Sequence, residues 1–285
     1  MELGVDQISL LIVVANLLVT YKGETDPSFK RQYLFNVEAI LVRKEYIRML
    51  SSGFLHGGWF HFLINMYCLW TFSGLFHMVG FPAWYYLVIY FGSLIGGNAL
   101  SLFIHRNNGS YSALGASGAV SGVVFANIAL QPYGQFYLFF LIPMVSWLAG
   151  ILFVAYSIYG IKAQNDNIGH DAHLGGAIIG LLLMLLYVPG LYAKYPIIIS
   201  ALLFPAIIFL YLIVTRPEML LIPGYWKKEA SRVSTNFKVK RGGKKASSKF
   251  SSVEDEINYL LDKGYENLSP IEKKRLEQLS RRTDE

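Results

Sequence analysis

The sequence predicts an all-α membrane protein: a bundle of six transmembrane helices, a seventh C-terminal helix and a soluble tail. Of its 285 residues 54% are hydrophobic and only 15% are charged, and the mean hydropathy is +0.40. These values lie outside the range of ordinary soluble domains. Seven apolar runs each approach the roughly 20 residues that cross a hydrocarbon core of about 30 Å.

The seven predicted spans are mostly apolar and are separated by polar or charged connections. They cover residues 5–21, 59–79, 83–104, 116–131, 136–158, 172–189 and 196–214. The first run carries Glu2 and Asp6 at its start in place of basic residues, and it lacks a small-residue cleavage site. We therefore expect it to remain as a helix and not to act as a signal peptide.

The connection between the first and second spans, residues 22–58, mixes apolar and aromatic residues with scattered charges. This mixture predicts short amphipathic helices in a partly embedded first loop. Later connections are short, and Pro132-Tyr133-Gly134 predicts a sharp turn between the fourth and fifth spans. We expect spans three to six to pack as adjacent antiparallel neighbours.

The composition changes after the last span. Residues 216–252 are predicted to be a basic flexible linker, and residues 253–285 a soluble tail of short helices. The chain after residue 215 holds sixteen Lys and Arg, but eleven acids are interspersed with them. That balance argues against nucleic acid as a partner. A single cysteine, Cys68, excludes a disulfide framework and a cysteine-based metal site.

Glycine pairs mark the fourth and sixth spans. Gly118 and Gly122 form one GxxxG pattern, and Gly176 and Gly180 form another. This pattern lets two membrane helices approach until their backbones nearly touch. If these faces meet, Ser117 faces the histidine at position 173.

Polar residues at the mouths of apolar spans suggest chemistry because burying them is costly. Serine becomes a nucleophile when a base such as histidine, with a reference pKa of about 6.5, removes its proton. His61 and Asn65 are stacked at i and i+4, and an amide donor aimed at an oxyanion is worth roughly 3–4 kcal/mol. The alternative for an isolated Ser117 is a hydrogen bond to a carbonyl one turn back.

A metal site is a second alternative, since four histidines could gather around zinc: His56, His61, His170 and His173. The sequence has no HExxH motif, and Asp166 and Asp171 are the only acids between Glu45 and Glu218. A metallohydrolase would lack its usual carboxylate base. We therefore predict neither a metal nor any other cofactor.

Three ordered motifs resemble those of rhomboid intramembrane serine proteases: HxxxN from His61 to Asn65, GASG from Gly115 to Gly118, and AHLGG from Ala172 to Gly176. The resemblance covers residues 1–190, which would form the six-helix catalytic core. It implies that Ser117 is the nucleophile and His173 the general base. It also implies that His61, Asn65 and the Ser117 backbone N–H hold the oxyanion.

The chain departs from the family pattern at two places. Rhomboids often have Trp-Arg in the first loop, where this chain has Ile47-Arg48, so Arg48 would hold the loop without an aromatic brace. Ser121 stands where an aromatic residue often stacks on the catalytic histidine. His170 is expected to be a loop residue.

Residues 191–215 match the extra transmembrane helix of "six plus one" relatives.

The resemblance implies cleavage of transmembrane segments near the membrane surface, with membrane-protein substrates and the lipid bilayer as partners. Two alternatives are a catalytically silent relative that binds membrane clients, and a small-solute transporter, whose polar residues would lie at midspan. The oligomeric state is left open.

The absence of a transit peptide favours a bacterial inner membrane, and the resemblance places the active site on its outer side. The positive-inside rule would place that end of the bundle in the cytoplasm.

Overall fold

The computed structural model describes residues 3–138, 141–163 and 168–216, together with positions 258, 259, 262, 268 and 276. The chain separates into two compact units, residues 1–232 and 233–285. Everything below concerns the first unit. Apart from Arg216 and those isolated positions, the predicted linker and tail helices lie outside the described residues.

The described part of the first unit is mainly helical. Its α-helices are α1 (Val5–Thr25), α2 (Pro27–Tyr33), α3 (Val37–Leu41), α4 (Arg48–Ser51), α5 (Trp59–Met78), α6 (Ala83–Ile104), α7 (Ser117–Leu130), α8 (Ser146–Ala163), α9 (His170–Tyr187), α10 (Gly190–Lys194) and α11 (Pro196–Thr215). Two antiparallel strand pairs complete it: β1 (Phe35–Asn36) with β2 (Ser112–Ala113), and β3 (Gln135–Leu138) with β4 (Ile142–Val145). The all-α membrane fold predicted from the sequence is confirmed.

Each of the seven predicted spans corresponds to a helix. Five helices are long and apolar enough to cross a membrane by length and composition: α1, α6, α8, α9 and α11. α5 fills the second predicted span, and α7 fills the fourth with only 14 residues. At 1.5 Å per residue α7 is about 21 Å long, against about 33 Å for α6. A helix this short ends inside the bundle and not at its surface.

The fifth predicted span, residues 136–158, is wrong at its start. Residues 135–138 and 142–145 form the paired strands β3 and β4, and α8 runs from Ser146 to Ala163. Pro143 cannot donate to a helical ladder and disfavours a helix interior, whereas the aromatic and β-branched residues around it suit strands. The predicted turn is present, since the Gly134 N–H donates to the Gln131 carbonyl at 3.0 Å.

Three helices, α6, α7 and α9, form the centre of the bundle and are called the glycine wall below. A Cβ at Gly176 would overlap the carbonyl oxygen of Gly118, and one at Gly180 would overlap the backbone of Gly122. A Cβ at Gly97 of α6 would overlap the carbonyl of Ala172. The glycine faces of the fourth and sixth spans meet, and they bring α7 against α6 and α9. The expectation that spans three to six pack as adjacent neighbours is wrong for the fourth and fifth, because α8 packs mainly on α9 and α11.

The first loop, residues 26–58, contains the short helices that the sequence predicts: α2, α3, α4 and a 3₁₀ turn at Ser52–Phe54. β1 attaches it to the connection that precedes α7. Asp26 caps α2 by accepting from the backbone N–H groups of Ser28 and Phe29. This loop lies at the end of the bundle where α7 and α9 begin.

The seventh helix, α11, runs alongside α8. It begins where Tyr195 meets Tyr133, with ring centroids 6.0 Å apart, and farther along it Leu202 packs at Gly150 of α8. Because α8 leads from the β3–β4 hairpin towards the start of α9, α11 has the same direction. Thr215 therefore lies towards the end of the bundle that holds the first loop.

Candidate active site

A cavity of about 610 Å³ opens where α7 and α9 begin. Residues from the first loop, the start of α5, the connection before α7, and the N-terminal turns of α7 and α9 line it. Ser117, His173 and His61 are all among them. The structure thus brings three of the four predicted catalytic and oxyanion side chains to one cavity.

Ser117 is the first residue of α7, directly after the cap residue Ala116. Gly115 before them has a φ of +131°, which L side chains rarely adopt. A Cβ at Gly115 would lie 2.8 Å from the His61 Cε1 atom and 3.5 Å from the Ser117 Oγ atom. Glycine at this position therefore lets the serine and His61 lie close together. The unpaired N–H groups of a helix start favour negative charge here.

His173 lies in the first turn of α9. The Phe153 ring of α8 flanks it, with centroids 6.1 Å apart and planes inclined at 33°. The Ser121 hydroxyl, which replaces the family's aromatic residue, donates to the Ser117 carbonyl at 2.7 Å. The aromatic neighbour of the histidine thus comes from α8 in this chain, which the motif comparison could not reveal.

His61 and Asn65 are placed differently from each other. The Gly57 N–H donates to the His61 Nδ1 atom at 3.4 Å, so the neutral ring carries its proton on Nε2, the atom nearer Gly115. Asn65 is buried, and its amide donates to the His61 carbonyl at 2.9 Å. It does not line the cavity. The i to i+4 spacing that suggested a shared role also permits this bond within the helix.

His56 is a site residue that we considered only as a metal ligand. Its Nδ1 atom lies 2.9 Å from the Thr20 hydroxyl of α1, and its Nε2 atom accepts from the Ala116 N–H at 3.4 Å. Burial, with smaller contributions from His61 and Lys30, lowers the pKa of His56 to about 3. A neutral imidazole therefore connects α1 to the residue that caps α7.

Arg48 is buried in the first loop with 5% of its surface exposed. Its guanidinium donates to the carbonyls of Arg31 at 2.9 Å and Leu34 at 2.8 Å, and its Nε atom donates to Glu45 at 2.6 Å. Hydrogen bonds from Arg48 and Arg43 lower the pKa of Glu45. Arg48 thus holds the end of α2, while the neighbouring Ile47 is exposed.

A second polar cluster, absent from our sequence interpretation, joins the start of α9 to the connection before α7. The Asp171 carboxylate is buried and lies 3.2 Å from the His105 Nε2 atom. The Tyr111 hydroxyl donates to the same carboxylate at 3.4 Å, and its ring stacks on His105 with centroids 3.5 Å apart. Burial and the Asp171 charge raise the pKa of Tyr111. Asp171, His105 and Tyr111 lie far apart in the sequence, so only the three-dimensional structure shows that they form a cluster.

The four histidines proposed as zinc ligands form two separate pairs. The ring centroids of His56 and His61 are 5.1 Å apart, and those of His170 and His173 are 6.1 Å apart. The described residues contain no group of three or more His, Cys, Asp or Glu that could hold a metal ion. His170 is not a loop residue as predicted; it begins α9 and is buried against Gly160 and Tyr156.

Comparison with known proteins gives one consistent result. The model of the Rhomboid domain matches residues 43–190. Rhomboid protein 1, mitochondrial, of Saccharomyces cerevisiae is 33% identical over 50% of this chain and 43% of its own length. RHOMBOID-like protein 12, mitochondrial, of Arabidopsis thaliana is 31% identical, covering 47% and 44%. The human presenilin-associated rhomboid-like protein, mitochondrial, is 33% identical, covering 47% and 36%.

These relatives correct one expectation. All three carry "mitochondrial" in their names, so the bacterial inner membrane predicted from the N-terminal sequence is not supported. The chain spans less than half the length of each of them. The matched region contains Arg48, all three motifs and the whole of the cavity except its first-loop residues Lys30 and Leu34. This multi-pass membrane chain belongs to the rhomboid family.

Proposed function

We propose that this chain is a serine endopeptidase that cleaves transmembrane segments of other membrane proteins. The observation that carries the proposal is that Ser117 and His173 line one cavity, at the starts of two helices whose backbones are in contact. Rhomboid proteins are generally intramembrane serine proteases, which agrees with this reading. Ser117 is the nucleophile and His173 the general base in the proposal.

In the first half-reaction His173 takes the hydroxyl proton of Ser117 while Oγ adds to the scissile carbonyl carbon. The oxyanion accepts hydrogen bonds from the Nε2–H of His61 and from the backbone N–H of Ser117. Protonated His173 then donates to the leaving amine as the C–N bond breaks. Asn65 stays a proposed third donor to the oxyanion: one N–H of its amide donates to the His61 carbonyl, and an amide nitrogen carries two N–H groups.

In the second half-reaction His173 deprotonates a water molecule that attacks the acyl-enzyme, and the returned proton restores the Ser117 hydroxyl. Gly118 of α7 and Gly97 of α6 both lie against the Ala172 carbonyl, and α6 continues beyond that level to Ile104. Ser117 therefore lies below the end of α6, in the cavity through which we propose that water enters. A substrate helix must unwind locally to expose its peptide bond. Small or helix-breaking residues near the cut are therefore expected in substrates.

Labelling by a fluorophosphonate, combined with a cleavage assay in proteoliposomes, tests the proposal. The purified wild type should be labelled on Ser117. Ser117→Ala should show no label, and His173→Ala should react about a hundredfold or more slowly. The matched control is Ser121→Ala, one turn further along α7, which should keep its label because Ser121 bonds only to the helix backbone.

Absence of both label and cleavage in the folded wild type would reject the proposal in favour of a silent protein that binds membrane clients. Labelling that survives Ser117→Ala would place the reactive serine elsewhere. Retained activity in His173→Ala would remove the histidine from the mechanism.

We also propose that the cavity opens on the outer side of the membrane. Lys and Arg concentrate at this end of the bundle, but the positive-inside rule applies to short connecting loops. Here the first loop is folded against the bundle around buried Arg48, and the chain after α11 exceeds about 60 residues, a length at which the rule weakens. A cysteine replacing exposed Lys44 should react with an impermeant maleimide from outside. Reaction only after the membrane is opened would reverse the orientation.

A further inference from the structure

The cavity has one permanent charge among the described residues that line it. Lys30 of α2 is the only Lys, Arg, Asp or Glu in that lining; the others are apolar residues, glycines and neutral polar residues such as Ser52, Asn98 and Tyr111. Walls of this kind screen a charge less than bulk water does. The cavity therefore offers a positive site to whatever segment enters it.

The ammonium of Lys30 has a partner that leaves it available. Its Nζ atom donates to the Glu24 Oε1 atom at 2.5 Å, and the two side chains are 26% and 29% exposed. Glu24 ends α1 and does not line the cavity. A partly exposed ion pair of this kind contributes little to stability, and an ammonium has three donors. The pair orients Lys30 without using up its capacity to bind a second carboxylate.

The position of α2 is fixed although its one ion pair is weak. Asp26 caps its start, and the Arg48 guanidinium binds the carbonyls of Arg31 and Leu34 at its end. Lys30 also contributes to the lowering of the His56 pKa, after burial and His61, and it lines the cavity together with His61, Ser117 and His173. The cation is thus held in the same cavity as the proposed catalytic residues.

We propose that Lys30 forms a subsite for an acidic side chain of the substrate, so that preferred membrane substrates carry Asp or Glu near the cleaved bond. This inference rests on the proposed proteolytic function. An acidic side chain would share the ammonium with Glu24, whereas a Lys or Arg at the same substrate position would be repelled. Selection would thus combine attraction with exclusion.

The test uses the full chain in proteoliposomes with a set of single-span substrates. Each substrate has the same transmembrane segment, with Asp, Asn or Lys placed in turn at each residue flanking the cut. For wild type, kcat/KM should be roughly five- to tenfold higher for Asp than for Asn at one position. Lys30→Met should reduce that ratio to about one, and Lys30→Glu should make the Lys substrate the preferred one.

Two further variants sharpen the result. Glu24→Gln removes the competing carboxylate and should raise the Asp to Asn ratio above that of wild type. Lys44→Met removes an exposed lysine of the same loop that does not line the cavity, and should leave the ratio unchanged.

The possible failures are distinguishable. If wild type cleaves the whole set without charge preference, or if Lys30→Met keeps the preference, the subsite is wrong and the proteolytic function stands. If no substrate is cleaved and Ser117 takes no label, the proposed function fails and the subsite fails with it.

Discussion

The two sides of the cavity are held by different kinds of contact. The glycine wall places Ser117 and His173 through backbone-to-backbone packing of α6, α7 and α9. The first loop, on the other side, is held by side-chain bonds to backbone carbonyls and by ion pairs such as Lys30 with Glu24. The first kind tolerates no added atom, whereas the second can exchange partners. The side that carries Ser117 and His173 is therefore fixed by close packing, whereas the side that carries Lys30 is held by polar contacts that can exchange partners.

The largest expected effect tests the glycine wall. Gly176→Ala places a methyl group on the Gly118 carbonyl, which forces α7 and α9 apart and should lower the free energy of unfolding by about 3 kcal/mol or more. Gly74→Ala is the matched control, since a Cβ at Gly74 meets nothing within 4 Å. It should be neutral or stabilising by up to about 1 kcal/mol, because alanine favours helix. Denaturation in detergent measures both, and similar stabilities would contradict the described packing.

An intermediate effect is expected in the first loop. Arg48→Met leaves the carbonyls of Arg31 and Leu34 and the Glu45 carboxylate without their donor. The expected cost is about 2–4 kcal/mol. Arg43→Met removes a half-exposed arginine that also pairs with Glu45 and should cost less than about 1 kcal/mol. Thermal unfolding measures the stability of both variants. Equal losses of stability would mean that the buried bonds of Arg48 contribute no more than the exposed ion pair of Arg43.

The smallest effect concerns the junction of the two sides, at His56. An unfolded histidine titrates near pH 6.5, whereas burial holds the folded pKa near 3. Below pH 6.5 the unfolded state binds more protons, so the stability from neutral His56 is present above that pH and is lost as the pH falls towards 3. From about pH 7.5 to pH 5 the wild type should lose up to about 2 kcal/mol of unfolding free energy through His56, and His56→Gln should abolish that loss.

The control for His56 is His77→Gln, at the other end of the bundle. His77 is exposed and lies 3.3 Å from Asp6. Unfolding followed at the two pH values should show the wild-type pH dependence in this control. If His56→Gln also keeps the wild-type pH dependence of the unfolding free energy, His56 is not held neutral in the folded protein.

Much of the architecture could be predicted from the sequence because the bilayer imposes simple rules. Hydropathy located the helices, and the glycine spacing of Gly118 and Gly122 with Gly176 and Gly180 indicated which faces meet. The paired strands β3 and β4 were missed because their apolar residues resemble a membrane helix in hydropathy. Only Pro143 argued against a helix there.

The site was partly predictable. The motifs located Ser117, His61 and His173 at one cavity. Asn65, which the i to i+4 spacing paired with His61, donates to the His61 carbonyl, and its oxyanion role stays a prediction. Three sets of contacts could not be predicted, because the partners lie far apart along the chain: Phe153 with His173, His56 with Thr20 and Ala116, and Asp171 with His105 and Tyr111.

The sequence by itself determined the membrane class, the helix positions, the polar residues at the helix starts and the small residues that allow close packing. These follow from local properties, namely hydropathy, spacing and the size of side chains. Only the tertiary structure decided that α8 packs on α9 and α11 more than on α7, that Lys30 lines the cavity, and that His56 is kept neutral. Those outcomes depend on which groups, distant along the chain, come together where water is excluded. Local sequence patterns do not encode distances in space.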